Sequence, residues 1–101
     1  MPALPIACSL TPDALQARRD GLLRALASRA SRREDLADGL ALEFVASGET
    51  LALVTSAIDA ERQCCRFLRF RLTVEPDGGP LRLELTGPAG SREFITALLE
   101  D

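Results

Sequence analysis

The stretch Arg69-Phe70-Arg71-Leu72-Thr73-Val74-Glu75-Pro76-Asp77-Gly78-Gly79-Pro80-Leu81-Arg82-Leu83-Glu84-Leu85-Thr86 decides how the chain is read. From Phe70 the apolar period becomes two. Phe70, Leu72 and Val74 oppose Arg69, Arg71, Thr73 and Glu75, and beyond the turn Leu81, Leu83 and Leu85 alternate with Arg82, Glu84 and Thr86. Alternation on both sides of a Pro-Asp-Gly-Gly-Pro turn predicts a β-hairpin. Its arginines and glutamates fall on one face, where they are available for cross-strand pairs. Upstream, Leu40, Leu42 and Phe44 alternate with Ala41, Glu43 and Val45, which predicts another half-buried strand. Strands with one apolar and one polar face belong to a sheet covered on one side only.

Working outward, Gly87-Pro88-Ala89-Gly90-Ser91 leads into a predicted helix over residues 92–100 that buries Phe94, Ile95, Leu98 and Leu99. Its glycines lack the spacing of a phosphate-binding loop, so they read as a turn. Ser47-Gly48-Glu49 caps a second helix over residues 48–66. Thr11-Pro12-Asp13 starts a third, over residues 12 to about 31, with Leu15, Leu22, Leu23, Leu26 and Ala30 on its apolar stripe. Between them, residues 31–39 read as a polar connection closed by Asp38-Gly39. Residues 4–9 place Leu4, Ile6 and Cys8 on one face of a short strand that Pro5 confines to an edge. The order is (β)αβαββα. The expected fold is α+β, a two-layer sandwich with three helices on one face of a three- or four-stranded, mainly antiparallel sheet. The chain has 101 residues, which suits one domain over 1–101.

Composition narrows the chemistry. The chain is 47% hydrophobic and 27% charged with a net charge of −3, so no basic field draws it to nucleic acid. It has no histidine, which excludes histidine triads and histidine-ligated zinc. All 12 basic residues are arginine, which excludes lysine Schiff bases and a P-loop. No apolar run is long enough to span a membrane, and residues 1–7 lack the charged and apolar regions of a secretory signal. Cys8, Cys64 and Cys65 are an odd number, two of them adjacent, which fits reduced thiols in the cytoplasm better than a disulfide framework. Arg62, Arg66, Arg69 and Arg71 form a local basic cluster. Without interleaved aromatics it reads as a solvated face paired with Asp59, Glu75 and Glu84.

One region resists a purely structural reading. On a helical wheel of about 100° per residue, Leu51, Val54, Ala57, Ile58, Cys65 and Leu68 share a face, and Thr55, Asp59, Arg62, Gln63 and Arg66 lie opposite. Glu61 falls near the middle of the apolar face, with Cys64 and Cys65 one turn on. An ionised carboxylate there needs compensation by protonation, an arginine partner or a pocket. Arg19 lies inside the first helix's apolar stripe and Arg18 at its edge. Either reaches Glu61 if the two helices pack side by side, and an arginine beside Cys64 or Cys65 favours the thiolate.

Three functional readings follow. Cys64 and Cys65 are candidate ligands for a soft metal ion or metalloid such as Cu(I), Hg(II) or arsenic(III), with Cys8 or Glu61 as a third. Adjacent side chains inside a helix diverge, so this reading needs the helix to end near residue 66. Alternatively, one cysteine is the nucleophile of a thiol-dependent enzyme with Glu61 moving protons. A third reading is a non-enzymatic partner or regulatory module, and free sheet edges make a homodimer a candidate. Beside all three stands the architectural reading, in which the cysteines are core residues.

The run Glu61-Arg62-Gln63-Cys64-Cys65-Arg66-Phe67-Leu68-Arg69-Phe70, with the later Gly87-Pro88-Ala89-Gly90 and Glu93-Phe94, resembles small uncharacterised bacterial proteins that share an E-R-x-C-C-x-F-x-x-F stretch and a G-P-x-G. Cys8-Ser9-Leu10 and Arg18-Arg19 are similar to their N-terminal region. The resemblance implies grouping Cys8, Arg18, Arg19, Glu61, Cys64 and Cys65 into one site, in a heavy-metal resistance context.

Overall fold

In the computed structural model, residues 22–100 are described. Their elements run α1 (Leu22–Arg29), β1 (Arg32–Leu36), β2 (Gly39–Phe44), α2 (Gly48–Cys64), β3 (Arg69–Val74), β4 (Leu81–Thr86) and α3 (Ser91–Glu100). The strands form one antiparallel sheet in the order β1-β2-β4-β3. Three helices and a four-stranded antiparallel sheet make this an α+β protein. The strand expected over residues 4–9 and the helix start at Thr11-Pro12-Asp13 lie outside the described residues.

The hairpin forms as the alternation requires. Its register places Phe70 beside Leu85, Leu72 beside Leu83 and Val74 beside Leu81. On the other side of β4, Leu40, Leu42 and Phe44 pair with Leu85, Leu83 and Leu81. The apolar side of the sheet is thus three rows of large side chains, each worth about 1.5–3 kcal/mol when fully buried. In the turn, Asp77 and Gly78 have φ of 57° and 70°, and Gly79 N–H donates to Pro76 O at 3.1 Å. Two successive left-handed residues match the right-handed twist of the flanking strands. Leu23 and Leu26 of α1, Val54 and Ala57 of α2, and Ile95 and Leu99 of α3 complete the same buried cluster.

Residues 31–39 correct the sequence reading: they are not a connection but contain β1, which pairs with β2 from Arg32↔Glu43 to Leu36↔Gly39. Arg32, Arg33, Glu34 and Asp35 are all exposed. With neither face buried, the strand carries no apolar alternation, and its charges are those that guard an edge against foreign strands. The turn returns to Gly39, where an added Cβ would run into the backbone carbonyl of Leu85 on β4. Only glycine permits that approach. The described order is therefore αββαββα, one strand more than expected between the first two helices.

The helix ends are set locally. Ser47 caps α2, its hydroxyl accepting from Thr50 N–H at 3.0 Å and donating to Thr50 Oγ1 at 2.9 Å. Arg29, in the last turn of α1, reaches Glu49 in the first turn of α2 at 2.8 Å. Each charge also suits the helix dipole beside it. α2 ends at Cys64, short of the expected residue 66. Cys65 leaves helical geometry (φ −101°, ψ 74°) and a turn delivers buried Phe67 and Leu68 to the core before β3 begins. Phe67 meets Phe94 of α3 edge-on, with ring centroids 5.1 Å apart.

Candidate functional site

The helical wheel of α2 is realised in three dimensions. Val54, Ala57 and Cys65 are buried, while Thr55, Asp59, Arg62, Gln63 and Arg66 are exposed. Glu61 is 4% exposed and Cys65 fully buried. The two meet at the C-terminal end of the helix, where the Cys65 thiol points to Glu61 Oε1 with an Sγ···O distance of 3.6 Å. The backbone makes the juxtaposition: Cys65 N–H donates to Glu61 O at 2.7 Å, closing the last helical turn. Cys65 then leaves the helix, and its own carbonyl accepts from Leu68 N–H at 3.0 Å. An acid and a thiol are therefore held together inside the protein by one turn of backbone. A thiol is a weak donor and a carboxylate a strong acceptor, and both residues make interactions beyond this contact.

The helix boundary bears on the vicinal cysteines. Cys64 is the last helical residue and Cys65 the first that is not. Cys8, Arg18 and Arg19 lie outside the described residues, as does the side chain of Cys64. Among the described residues no group of three or more Cys, Asp or Glu side chains gathers closely enough to hold a metal ion. The described part of the candidate site is Glu61 and Cys65.

The opposite face of the sheet carries a different arrangement. Register sets Glu43 beside Arg82 and Ala41 beside Glu84. Arg82 gathers three carboxylates: Glu43 at 2.9 Å, and Glu34 and Glu84 at 3.3 Å each. Hydrogen bonds to Glu84 and then Glu43 raise its pKa above the ordinary value, so it stays charged across the biological pH range. This corrects the pairing expected for the basic cluster. Arg62 does bond Asp59, at 2.8 Å, but Glu84 is engaged by Arg82. Arg69 and Arg71 make no ion pair or side-chain hydrogen bond among the described residues.

The sequence offered Glu43, Arg82 and Glu84 only as members of a polar face. Their convergence with Glu34 depends on β1, whose pairing carried no hydrophobic signal. The β4–α3 reversal is a turn, as read: Gly90 has φ of 96°, and Ser91 N–H donates to Pro88 O at 3.0 Å. Gly87 packs so closely on Ser91 that a Cβ there would collide with Ser91 Oγ and crowd Phe67 O.

No protein-family model, curated protein or solved structure matches the chain. No helix among the described residues is long and apolar enough to cross a membrane.

Proposed function

We propose that the protein binds a soft metal ion, a metalloid or a thiol-reactive ligand at the C-terminal end of α2. Cys64 and Cys65 are the main contacts, Cys8 is a third thiol, and Glu61 with Arg19 or Arg18 is the supporting charge pair. The observation that carries this reading is the buried approach of Cys65 to Glu61 at the point where the helix stops. Burying a carboxylate is costly unless its charge is compensated. A soft cation held by neighbouring thiolates adds to that compensation, and thiolates select such ions over hard ones. The proposal includes a reducing compartment, the cytoplasm, since the ligands must be thiols. It also includes the helices as one layer on the apolar side of the sheet, with Arg18 and Arg19 of the helix expected from residue 12 brought alongside α2.

The complete burial of Cys65 favours a second reading, in which its thiol fills the core and Glu61 is architectural. It disfavours a cysteine nucleophile at position 65, which a substrate would have to reach. Native mass spectrometry of the reduced protein separates the first two. The chain is titrated with Hg(II), Cu(I), Zn(II) and arsenite, beside Cys8→Ser, Cys64→Ser, Cys65→Ser and Glu61→Gln. The proposal predicts one soft ion per chain, retained against a competing small thiol and lost in the cysteine variants. No retained ion, with thiols unreactive until denaturant is added, would overturn it in favour of the core reading.

A further inference from the structure

We propose that the open face of the sheet carries a second binding site. It is a shallow groove at the Gly39 end that takes a small molecule bearing a carboxylate or phosphate group together with a hydrogen-bond donor. The register builds the groove. Across the sheet, Leu36, Gly39, Thr86 and Arg69 form one row, and Glu34, Ala41, Glu84 and Arg71 form the next. Paired residues in an antiparallel sheet project to the same side. The β2 members of these rows are a glycine and an alanine, so the floor is low between β1 and β3. Gly39 is held to glycine by its approach to Leu85 O, which brings β4 close against β2 at this end of the sheet. Two adjoining depressions lie there, of about 300 Å³ and about 290 Å³, and they share Asp38, Arg69 and Thr86. Leu36, Arg71 and Glu84, whose carboxylate is engaged by Arg82, also line the first, and Phe67, Gly87 and Pro88 line the second.

The charges of this face are unevenly matched. At the far row, Arg82 draws in Glu34, Glu43 and Glu84. That concentration takes Glu84 away from Arg71, its direct partner across the strands. Arg69 and Arg71 line the groove without an ion pair or side-chain hydrogen bond among the described residues. Two residues apart on one strand, they stand about 7 Å from each other along the chain direction, so both planar forks reach one oxyanion. Thr86, paired with Arg69, adds a hydroxyl. Asp38 on the opposite side accepts from a donor on the ligand and repels a second anionic group. Charge on an edge strand guards against foreign pairing. That accounts for arginines on β3 but not for a concave floor and a threonine beside them.

The experiment is an amide and arginine Nε–H NMR titration of the full chain with inorganic phosphate and, separately, with serine. Sodium chloride at matched ionic strength is the control. At least one probe is expected to give saturable shifts at Arg69, Arg71, Thr86 and Gly87 that the chloride control lacks. Arg69→Gln and Arg71→Gln each weaken binding about tenfold, the worth of a charge-assisted hydrogen bond. Arg66→Gln, on an exposed arginine outside the groove, leaves it unchanged, as does Cys65→Ser, which separates this site from the thiol site. The proposal is overturned if both probes give only the shifts seen with chloride. It is equally overturned if Arg69→Gln and Arg71→Gln bind as the unaltered chain does while melting at the same temperature.

Discussion

Glu43 and Glu61 are both carboxylates on regular elements, and the protein holds them in opposite ways. Glu43 stands on the open face of the sheet, half-exposed, with Arg82 at 2.9 Å and Glu34 and Glu84 sharing the same guanidinium. Its environment is assembled from three strands, and water reaches it. Glu61 stands on the buried face of α2, 4% exposed, with the Cys65 thiol at 3.6 Å. Its thiol partner comes from the same helical turn, and almost no water reaches it. Compensation on the sheet face comes from geometry that any antiparallel pairing supplies. Compensation at the helix end requires specific residues, because a buried charge left alone is costly. The first arrangement is a means of solvating a sheet. The second buries a carboxylate where burial is costly, and for that reason the proposed thiol site lies there.

The largest effect expected from this contrast is that of Cys65→Asp. A second carboxylate against Glu61 inside the protein should cost ~3–5 kcal/mol in urea unfolding. Thr86→Asp, the same charge placed beside Arg69 on the open face, should cost under ~1 kcal/mol. Equal costs for the two would break the comparison. Next comes Arg82→Ala, which leaves three carboxylates facing one another across β1, β2 and β4. A loss of ~1–2 kcal/mol is expected, and it should shrink as salt screens the repulsion. A salt-independent loss would mean that the arginine acts through packing of its stem. The smallest effect is that of Arg62→Ala, which removes an exposed pair with Asp59 one helical turn away. Thermal unfolding should register under ~0.5 kcal/mol, and a larger value would show that the solvent face of α2 is more tightly coupled to Glu61 than its exposure suggests.

What the sequence revealed follows from burial. The β3–β4 hairpin and β2 were legible because one face of each is buried, and burial of alternate residues writes a period of two into the chain. The Glu61 anomaly was legible for the complementary reason: a charge among Leu51, Val54, Ala57 and Ile58 breaks a pattern that is otherwise clear. β1 was not legible, because Arg32, Arg33, Glu34 and Asp35 are exposed on both faces and leave no apolar alternation in the sequence. The Arg82 cluster was hidden with it, since one of its carboxylates sits on that strand. The end of α2 carries no glycine or proline; it is set by Phe67 and Leu68 turning into the core, a tertiary effect that local propensity does not record.

The central claim is that Cys65 ligates a soft ion at the end of α2. Its most direct test is X-ray absorption at the mercury or arsenic edge of the loaded, reduced protein. The account predicts at least two sulfur neighbours at bonding distance in the unaltered chain and one fewer in Cys65→Ser. A sulfur shell unchanged by Cys65→Ser would contradict it, placing the ion on other thiols and returning Cys65 to the core.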